Sequence, residues 1–265
     1  MRIALNSSAD RNASFEEIAS RFSSRFCDDA TSAQALITNR VTDAIGATGS
    51  GTHVLFDTPE ILGAADCQSL AKASLESGVV VMPGNEWRFV PSVATVHSSL
   101  AAGKLGEPGL LRIHRWKTDS SEMCERSLLM ADLDLAAWMF GQSPVSIYVA
   151  RRPNYVQIHL GFEGGGMAIM DHSMGRPANT DYDSLSLIGS TGAAYADDHH
   201  NMNLVFGRSS PSAIRTDQGS THLVGMLKEF LAAISESRPP SVTLADTERA
   251  LKTVGTITNS EGRIL

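Results

Sequence analysis

Glycine is absent from the first 45 residues of this chain: all 22 glycines among its 265 residues lie at position 46 or later. A loop that cradles a phosphate at a helix N-terminus usually needs glycine, because side chains keep the backbone N–H groups away from the ligand. The sequence therefore predicts that the N-terminal part of the chain has no glycine-rich phosphate loop.

Cysteine and long apolar runs are scarce as well. The chain has three cysteines, Cys27, Cys67 and Cys124, which are far apart and form no C-x-x-C pair. This spacing predicts neither a disulfide framework nor a structural zinc site. No apolar run reaches 18 residues, and the N-terminal one is too short for a signal peptide. We expect a cytoplasmic protein with no membrane span.

The charge is acidic, with 22 Lys+Arg against 29 Asp+Glu and a formal net charge of −7. The longest basic run is the pair Arg151 and Arg152, which argues against a nucleic-acid partner. Apolar residues make up 42% and charged residues 19%, which excludes a disordered chain. The length suits one large domain or two ordinary ones.

Short apolar runs alternate with helical patterns in the first third of the chain. Ser14 with Glu17 forms a capping box that predicts a helix start, and the apolar face of this helix continues to Phe26. Thr58, before a proline, predicts the start of a helix that ends at Gly78. Strands are predicted over residues 2–5, 35–38, 53–56 and 79–82. This alternation predicts a parallel sheet of about four strands with helices on its faces.

The alternation of single strands and helices ends near residue 85. Helices are predicted over residues 91–103 and 125–140, and strands over 109–116, 145–150, 155–162, 167–173, 184–189 and 202–206. Residues 163–166, Glu-Gly-Gly-Gly, predict a hairpin. Two helices over 222–236 and 244–259 close the chain, and Thr243 with Asp246 caps the second. The fold class is therefore α/β over residues 1–85 followed by α+β over residues 86–265, with a mostly antiparallel sheet and flanking helices.

Six short motifs follow one another between residue 50 and the C-terminus. They are THVLFDTP (52–59), NEWRFVP (85–91), GKLGE (103–107), DLDLAAWMFG (132–141), SLIGSTG (186–192), and EFLAAI followed by RPP (229–240). In this order they resemble the motifs of the Gfo/Idh/MocA family of NAD(P)-dependent sugar and cyclitol dehydrogenases. The resemblance implies a Rossmann-like nucleotide-binding-type domain, shortened here, followed by the C-terminal α+β domain of the family.

The resemblance leaves two alignments open for the N-terminus. Residues 2–5 correspond either to the first strand of the family or to its second strand, which would make Asp10 the ribose-binding acid. We prefer the first strand, because it is central in the sheet, whereas the second and third lie at one edge and can be lost with less damage. In both alignments residues 6–11, Asn-Ser-Ser-Ala-Asp-Arg, offer no G-x-G-x-x-G loop.

The resemblance also implies catalytic positions, and three of them are substituted. The family's lysine corresponds to Thr58, and its Asp and His, one helical turn apart, correspond to Ser127 and Ala131. Alanine cannot transfer a proton, and a hydroxyl without a nearby base has the wrong acidity. We therefore assign no catalytic residue. The cofactor implied by the family is NAD(P), and the residues that match its cofactor-binding positions are Asp10, Thr38, Asn39, Asp57 and Pro59.

Four further side chains are candidates for a substrate cleft: Asn85, Arg88, Asp134 and His172. Asn85 and Arg88 follow a predicted strand, where ligands of open α/β sheets bind. The alternatives are that Arg88 is a structural tie, Asp134 an outward-facing acid and His172 a satisfied sheet histidine. The run Asp-Asp-His-His at 197–200 predicts a solvated turn between strands rather than a metal site, because adjacent side chains rarely converge on one ion.

Three functions remain open at this stage. The one we favour is a Gfo/Idh/MocA-like homologue that lacks hydride transfer and serves as a binding or partner subunit. The second is an active NAD(P)-dependent oxidoreductase of a sugar or polyol with displaced catalytic residues, and the third is an enzyme of another class. We also expect a homodimer or higher oligomer, because residues 155–162 alternate between an apolar and a mixed face and helices can cover only one of them.

Overall fold

The computed structural model describes residues 1–22, 25–27, 32–197, 202–206, 212–215 and 221–258. The chain divides into two compact units. The first comprises Met1–Phe89 and Gly219–Leu251, and the second comprises Val90–Gln218 and Lys252–Leu265. The first unit therefore includes Gly219–Leu251, which the predicted boundary at residue 85 assigns to the second domain.

The first unit contains a five-stranded sheet in the order β2-β1-β3-β4-β5, with all strands parallel. Its strands are β1 (Arg2–Asn6), β2 (Arg25–Cys27), β3 (Ala35–Thr38), β4 (His53–Phe56) and β5 (Val81–Pro83). β1 therefore lies second from one edge of the sheet, between β2 and β3. Both the first and the second strand of the order 3-2-1-4-5-6 have a neighbour on each side, so the preferred alignment of residues 2–5 stays a prediction.

The expectation of about four strands was wrong by one. The strand β2 was missed because Phe26 continues the apolar spacing of the preceding helix. That helix, α1 (Ala9–Ile18), begins earlier than predicted: Ser8 is its N-cap, and its side chain accepts a hydrogen bond from the Arg11 N–H. Ser14 lies inside α1, where its hydroxyl donates to the Asp10 carbonyl, so the capping box at Ser14 was also wrong.

The other helices of the first unit are α2 (Val41–Gly49), α3 (Ala64–Ser77), α6 (Thr221–Ser235) and the start of α7 (Leu244–Thr258). Thr58 does not begin α3: a short 3-10 turn over Pro59–Ile61 intervenes, and α3 begins after Gly63, whose N–H donates to the Asp66 carboxylate. The predicted end at Gly78 is confirmed. Thr243 and Asp246 cap α7, as predicted.

The core of the first unit lies between the parallel sheet and α6. Ile3, Ile37 and Leu55 from the strands form one buried cluster with Leu227 and Phe230 from α6. All five side chains have an exposed fraction of 0%. Burial of such side chains contributes about 1.5–3 kcal/mol each, so the return of α6 completes the core of this unit.

The second unit contains α4 (Pro91–Ala101), α5 (Glu122–Phe140) and an eight-stranded sheet in the order β13-β12-β11-β10-β6-β9-β8-β7. The strands are β6 (Pro108–Trp116), β7 (Ser146–Arg152), β8 (Tyr155–Gly161), β9 (Met167–Ser173), β10 (Tyr182–Gly189), β11 (Ala193–Asp197), β12 (Met202–Phe206) and β13 (Ser212–Arg215). All neighbouring strands are antiparallel except β6 and β9. The mostly antiparallel sheet and the hairpin at 163–166 are confirmed, whereas β11 and β13 were not predicted.

The two faces of this sheet differ in burial. In β8, Val156, Ile158 and Leu160 are buried, and the alternate residues are not. Helix α5 contacts β6 and β9, and α4 contacts β11 and β12. The other face, which we call the open face, carries six exposed large apolar side chains: Trp116, Tyr148, Tyr155, Met167, Ile188 and Tyr195. Among the helices of the described part, none is long and apolar enough to cross a membrane.

Candidate functional site

Asp57 directly follows β4, at the carboxyl edge of the parallel sheet, and its side chain is fully buried. Arg11, on the first turns of α1, binds both of its carboxylate oxygens: Nη2 lies 2.6 Å from Oδ1, and Nε lies 3.1 Å from each oxygen. The Ser7 hydroxyl donates to Asp57 Oδ2 at 2.7 Å. The remaining branch of the guanidinium, Nη1, donates to Glu86 at 3.0 Å. We call these four residues the Arg11 cluster.

The Arg11 guanidinium therefore forms ion pairs with two carboxylates. Burial lowers the pKa of Arg11, but Asp57 and Glu86 outweigh this effect and raise it above its ordinary value. With Arg11 protonated and both acids ionised, the cluster carries a net charge of −1. Asp10 adds a further negative charge in the first turn of α1. Acids at a helix N-terminus are favourable for the helix and unfavourable for a bound phosphate.

The loop between β1 and α1 uses its own N–H groups. The Ser7 N–H donates to Asn12 Oδ1 at 3.1 Å, and the Arg11 N–H donates to Ser8 Oγ at 3.4 Å. In a dinucleotide-binding loop such groups point at the pyrophosphate. Here the side chains of Asn12 and Ser8, rather than a pyrophosphate, accept these hydrogen bonds.

The other predicted cofactor-binding residues lie near the same edge. Thr38 is buried; its hydroxyl donates to the Asn6 carbonyl at 2.9 Å and accepts from the Arg40 N–H at 3.0 Å. Pro59 is buried, Asn39 is partly exposed and Asp10 is exposed. This edge does not fit the phosphates of a dinucleotide, because the Ser7 and Arg11 N–H groups and the Arg11 guanidinium bind other groups of the protein and the Arg11 cluster has a negative net charge.

Arg88 is buried and binds two groups of the first unit. Its Nη1 donates to the Ser241 carbonyl at 3.2 Å, and its Nη2 lies 3.7 Å from Asp246 on α7. Arg88 therefore ties the turn after β5 to the start of α7. Asn85 is partly exposed, and its side-chain oxygen has no hydrogen-bond partner among the described residues. The side chain of Thr58 caps no helix.

The remaining predicted site residues lie in the second unit. Ser127 and Ala131 are partly buried on α5, whereas Asp134 is buried, with 2% of its surface exposed. His172, on β9, is fully buried, and its Nε2 lies 2.8 Å from Asp132 Oδ2. Its other ring nitrogen has no hydrogen-bond partner among the described residues.

A buried ion network surrounds His172, and sequence reasoning missed most of it. Arg115, on β6, donates from Nη2 to Asp132 at 2.6 Å and lies 3.3 Å from Asp183, which Lys117 binds at 2.7 Å. The sequence does contain one signal of this network. Arg115 is a charged residue at an inward-facing position of β6, where it continues the alternation of Leu111 and Ile113.

Burial opposes the ionisation of Asp132, but the Arg115 guanidinium and the His172 hydrogen bond outweigh it and hold the pKa of this carboxyl below its ordinary value. Asp132 therefore ties α5 to β6 and β9 as an ionised group. Among the described residues, no group of three His, Cys, Asp or Glu side chains could hold a metal ion.

A doubly wound parallel sheet followed by a large, mostly antiparallel sheet is the fold of oxidoreductases of the Gfo/Idh/MocA type, which confirms the resemblance at the level of fold. A probable dehydrogenase from Thermotoga maritima matches with a TM-score of 0.82 at 14% identity, covering 98% of this chain and 97% of that one. An inositol dehydrogenase homologue from Azotobacter vinelandii, complexed with NADH and myo-inositol, matches with a TM-score of 0.78 at 13% identity, covering 100% and 97%.

Among curated proteins, the chain is 24% identical over 224 residues to 4-carboxy-2-hydroxymuconate-6-semialdehyde dehydrogenase of Sphingobium sp. (strain NBRC 103272 / SYK-6). This alignment covers 76% of the chain and 69% of that protein. No family model matches the chain.

Proposed function

We propose that this chain is an oxidoreductase homologue that does not transfer hydride and serves as a binding or partner subunit. The observation that carries the proposal is the Arg11 cluster. The Arg11 guanidinium near the start of α1 binds Asp57 and Glu86, and the N–H groups of Ser7 and Arg11 donate to side chains of the protein itself. A dinucleotide would have to break these contacts and place its phosphates beside two carboxylates.

That exchange has a cost. Separating Arg11 from Asp57 costs about 1–3 kcal/mol, less than for a fully buried pair, because Arg11 is partly exposed. Tight binding of a nicotinamide cofactor at micromolar concentration amounts to about 8 kcal/mol. Part of the possible gain would therefore be lost before any contact with phosphate is made.

The positions that match the family's catalytic residues supply no base. Thr58 and Ser127 carry hydroxyls and Ala131 carries no proton-transfer group. General acid–base groups contribute about 10²–10⁴-fold to such reactions. Asp134 and His172, two remaining ionisable candidates, are almost completely buried.

The alternative is an active NAD(P)-dependent oxidoreductase with displaced catalytic residues. It is favoured by the dehydrogenases of the same fold, one of which is described with NADH and myo-inositol. In this case the ligand would be a sugar or polyol, and Asn85, whose side-chain oxygen has no hydrogen-bond partner within the described part of the chain, would contact it. We further propose a cytoplasmic location and a homodimer formed through the open face.

Calorimetric titration of the purified chain with NAD⁺ and NADP⁺ tests the proposal, followed by an absorbance assay for NADH or NADPH across a panel of sugars and polyols. We expect neither binding at micromolar concentration nor turnover. Micromolar binding with turnover would establish the active oxidoreductase instead. Binding without turnover would agree with the proposed loss of catalysis. It would contradict the argument that the Arg11 cluster prevents cofactor binding.

A further inference from the structure

A histidine and a carboxylate form an ion pair in the middle of the open face. In the strand order from β11 to β7, β6 and β9 stand third and fourth among six strands. His114 on β6 and Asp171 on β9 are register partners, and His114 Nδ1 lies 2.6 Å from Asp171 Oδ1. The histidine side chain is 39% exposed and the carboxylate 15%. Both groups therefore reach solvent in a single copy of the chain.

Arg112 adds a second positive charge beside this pair. It is exposed and lies two residues before His114 on β6, and side chains two residues apart on a strand share one face of the sheet. The hydrogen bond to Asp171 raises the pKa of His114, and burial and Arg112 oppose this effect without reversing it. Towards the end of β6, Arg176 stacks on Trp116 and brings a further positive charge. We call Arg112, His114 and Asp171 the central trio.

The strands on either side of the trio place side chains without a permanent charge next to it. The residues at the facing and diagonal positions are Tyr182, Ser184 and Ser186 on β10, and Tyr155, Gln157 and His159 on β8. Burial and Asp171 raise the pKa of Tyr155, so this tyrosine is neutral where histidine titrates. The row of His114 continues to Asp197 on β11, whose side chain lies outside the described part of the chain.

The charge of the trio depends on His114. With His114 neutral, Arg112 and Asp171 sum to zero, and with His114 protonated the trio carries a charge of +1. An isologous pairing brings a face against its own copy, so this charge meets the same charge whatever the register between the two copies. Like charges repel, and each also loses hydration when the face is covered. Protonation of His114 therefore opposes pairing.

We propose that His114 makes the pairing of two copies depend on pH, with a weaker dimer when His114 is protonated and a stronger one when it is neutral. This inference rests on the homodimer proposed above and names what regulates it. The effect has an unusual sign for this chain. Its formal net charge is −7, so the general repulsion between two copies decreases on acidification, whereas the repulsion between the trios increases.

Linkage connects the pH effect to the proton affinity of His114. If protonation weakens the dimer, pairing must lower the pKa of His114 by the same free energy. A tenfold decrease of the proton affinity in each copy changes the dimer dissociation constant by up to about a hundredfold, because two histidines titrate. The change falls in the pH range in which histidine loses its proton.

Light scattering over a concentration series of the full chain, at constant ionic strength, measures the dissociation constant at about pH 5.5 and about pH 8.5. We expect the wild-type dimer to be at least about tenfold weaker at the lower pH. His114→Gln stays neutral at both pH values and should keep the wild-type value of high pH within about threefold. Circular dichroism at both pH values checks that each variant is folded.

Arg112→Gln tests the charge argument itself. Without Arg112, the trio is neutral when His114 is protonated and carries −1 when it is not, so acidification should now strengthen the dimer. A structural role of the hydrogen bond to Asp171 would leave the sign of the pH dependence unchanged. His159→Gln removes another histidine of the open face, on β8, and should keep the wild-type pH dependence.

The outcomes separate the proposals. A dimer of equal strength at both pH values overturns the role of His114 while keeping the homodimer. A pH dependence that persists in His114→Gln, or that keeps its sign in Arg112→Gln, overturns that role as well. A chain that is monomeric at both pH values overturns the pH control and the homodimer together. None of these results bears on the cofactor proposal, which the calorimetric titration tests.

Discussion

Arg11 and Asp57 are joined at the carboxyl edge of the parallel sheet, with Nη2 and Oδ1 2.6 Å apart. The pair connects the first helix to the fourth strand of the sheet, and the carboxylate of Asp57 is fully buried. The contact therefore has a structural and a functional consequence: it stabilises the first unit, and it occupies the guanidinium that would otherwise attract an anion.

Replacing Asp57 by asparagine should lower the free energy of unfolding by about 1–3 kcal/mol. This is less than the roughly 3–5 kcal/mol for a fully buried pair, because Arg11 is partly exposed and keeps Glu86. Glu76→Gln is the matched control: its partner Lys72 is 3.8 Å away on the surface of α3, and exposed pairs contribute about 1 kcal/mol at most. Chemical denaturation measures both, and equal losses would contradict the structural role of Asp57.

Restoring the family's catalytic residues should not restore catalysis. The triple variant Thr58→Lys, Ser127→Asp and Ala131→His supplies the missing proton-transfer groups, but it leaves the loop before α1 without glycine. We expect no cofactor reduction above the wild-type background in an absorbance assay with a polyol panel. Measurable turnover would show that the cofactor binds despite the Arg11 cluster. Circular dichroism serves as the check that the variant is folded.

Asp132→Asn should destabilise the second unit by about 2–4 kcal/mol, because the buried guanidinium of Arg115 loses its shorter ion pair and keeps only Asp183, at 3.3 Å, among the pairs described above. Glu125→Gln, on the same helix, removes a partly exposed pair with Arg151 and should cost less than about 1 kcal/mol. Denaturation curves of the two variants give the comparison. A loss below 1 kcal/mol for Asp132→Asn would show that the buried network contributes little.

The Asp132 carboxyl also predicts that the unfolding free energy depends on pH. Because the pKa of Asp132 is lower in the folded state, its contribution to stability is fully present above its ordinary pKa of about 3.9 and is lost as the pH falls through the lowered value. The wild-type chain should therefore lose unfolding free energy more steeply than Asp132→Asn below about pH 4. Parallel slopes in denaturation series at low pH would contradict this assignment.

The raised pKa of His114 predicts a pH dependence of stability with the opposite sign. The hydrogen bond from its Nδ1 to Asp171, 2.6 Å long, raises the pKa of His114 despite partial burial. Its contribution to stability is therefore fully present below its ordinary pKa of about 6.5 and is lost as the pH rises through the raised value. An NMR titration should place the His114 pKa above 6.5 and show a decrease in Asp171→Asn. No change in that variant would exclude Asp171 as the cause.

Gly189→Ala should destabilise the second unit by about 2–3 kcal/mol, because a Cβ there would lie 2.1 Å from the Leu105 carbonyl oxygen, a backbone atom that cannot rotate away. Gly109→Ala is the matched control at the paired end of β6. Its Cβ would lie 3.4 Å from the Ile188 carbonyl oxygen, so we expect a change below about 1 kcal/mol. Thermal unfolding of both variants checks the difference, and equal midpoints would refute it.

Much of the fold follows from periodicity. The alternation in β8 correctly assigned Ile158 to the buried face and His159 to the open one. The prediction failed where an element is short or its neighbours lie far along the chain. The three-residue strand β2 was hidden by Phe26, and the placement of α6 in the first unit depends on contacts with strands about 170–220 residues earlier. Local patterns contain no information on such contacts.

For the site, the sequence alone determined which residue types are present. Residues 6–11 contain no glycine, and Thr58 and Ala131 stand where the resemblance implies a lysine and a histidine. Only the tertiary structure decided which side chains meet at this edge of the sheet. Arg11 meets Asp57 and Glu86, which follow it by 46 and 75 residues, because parallel strands bring their carboxyl ends to one edge of the sheet whatever their separation along the chain.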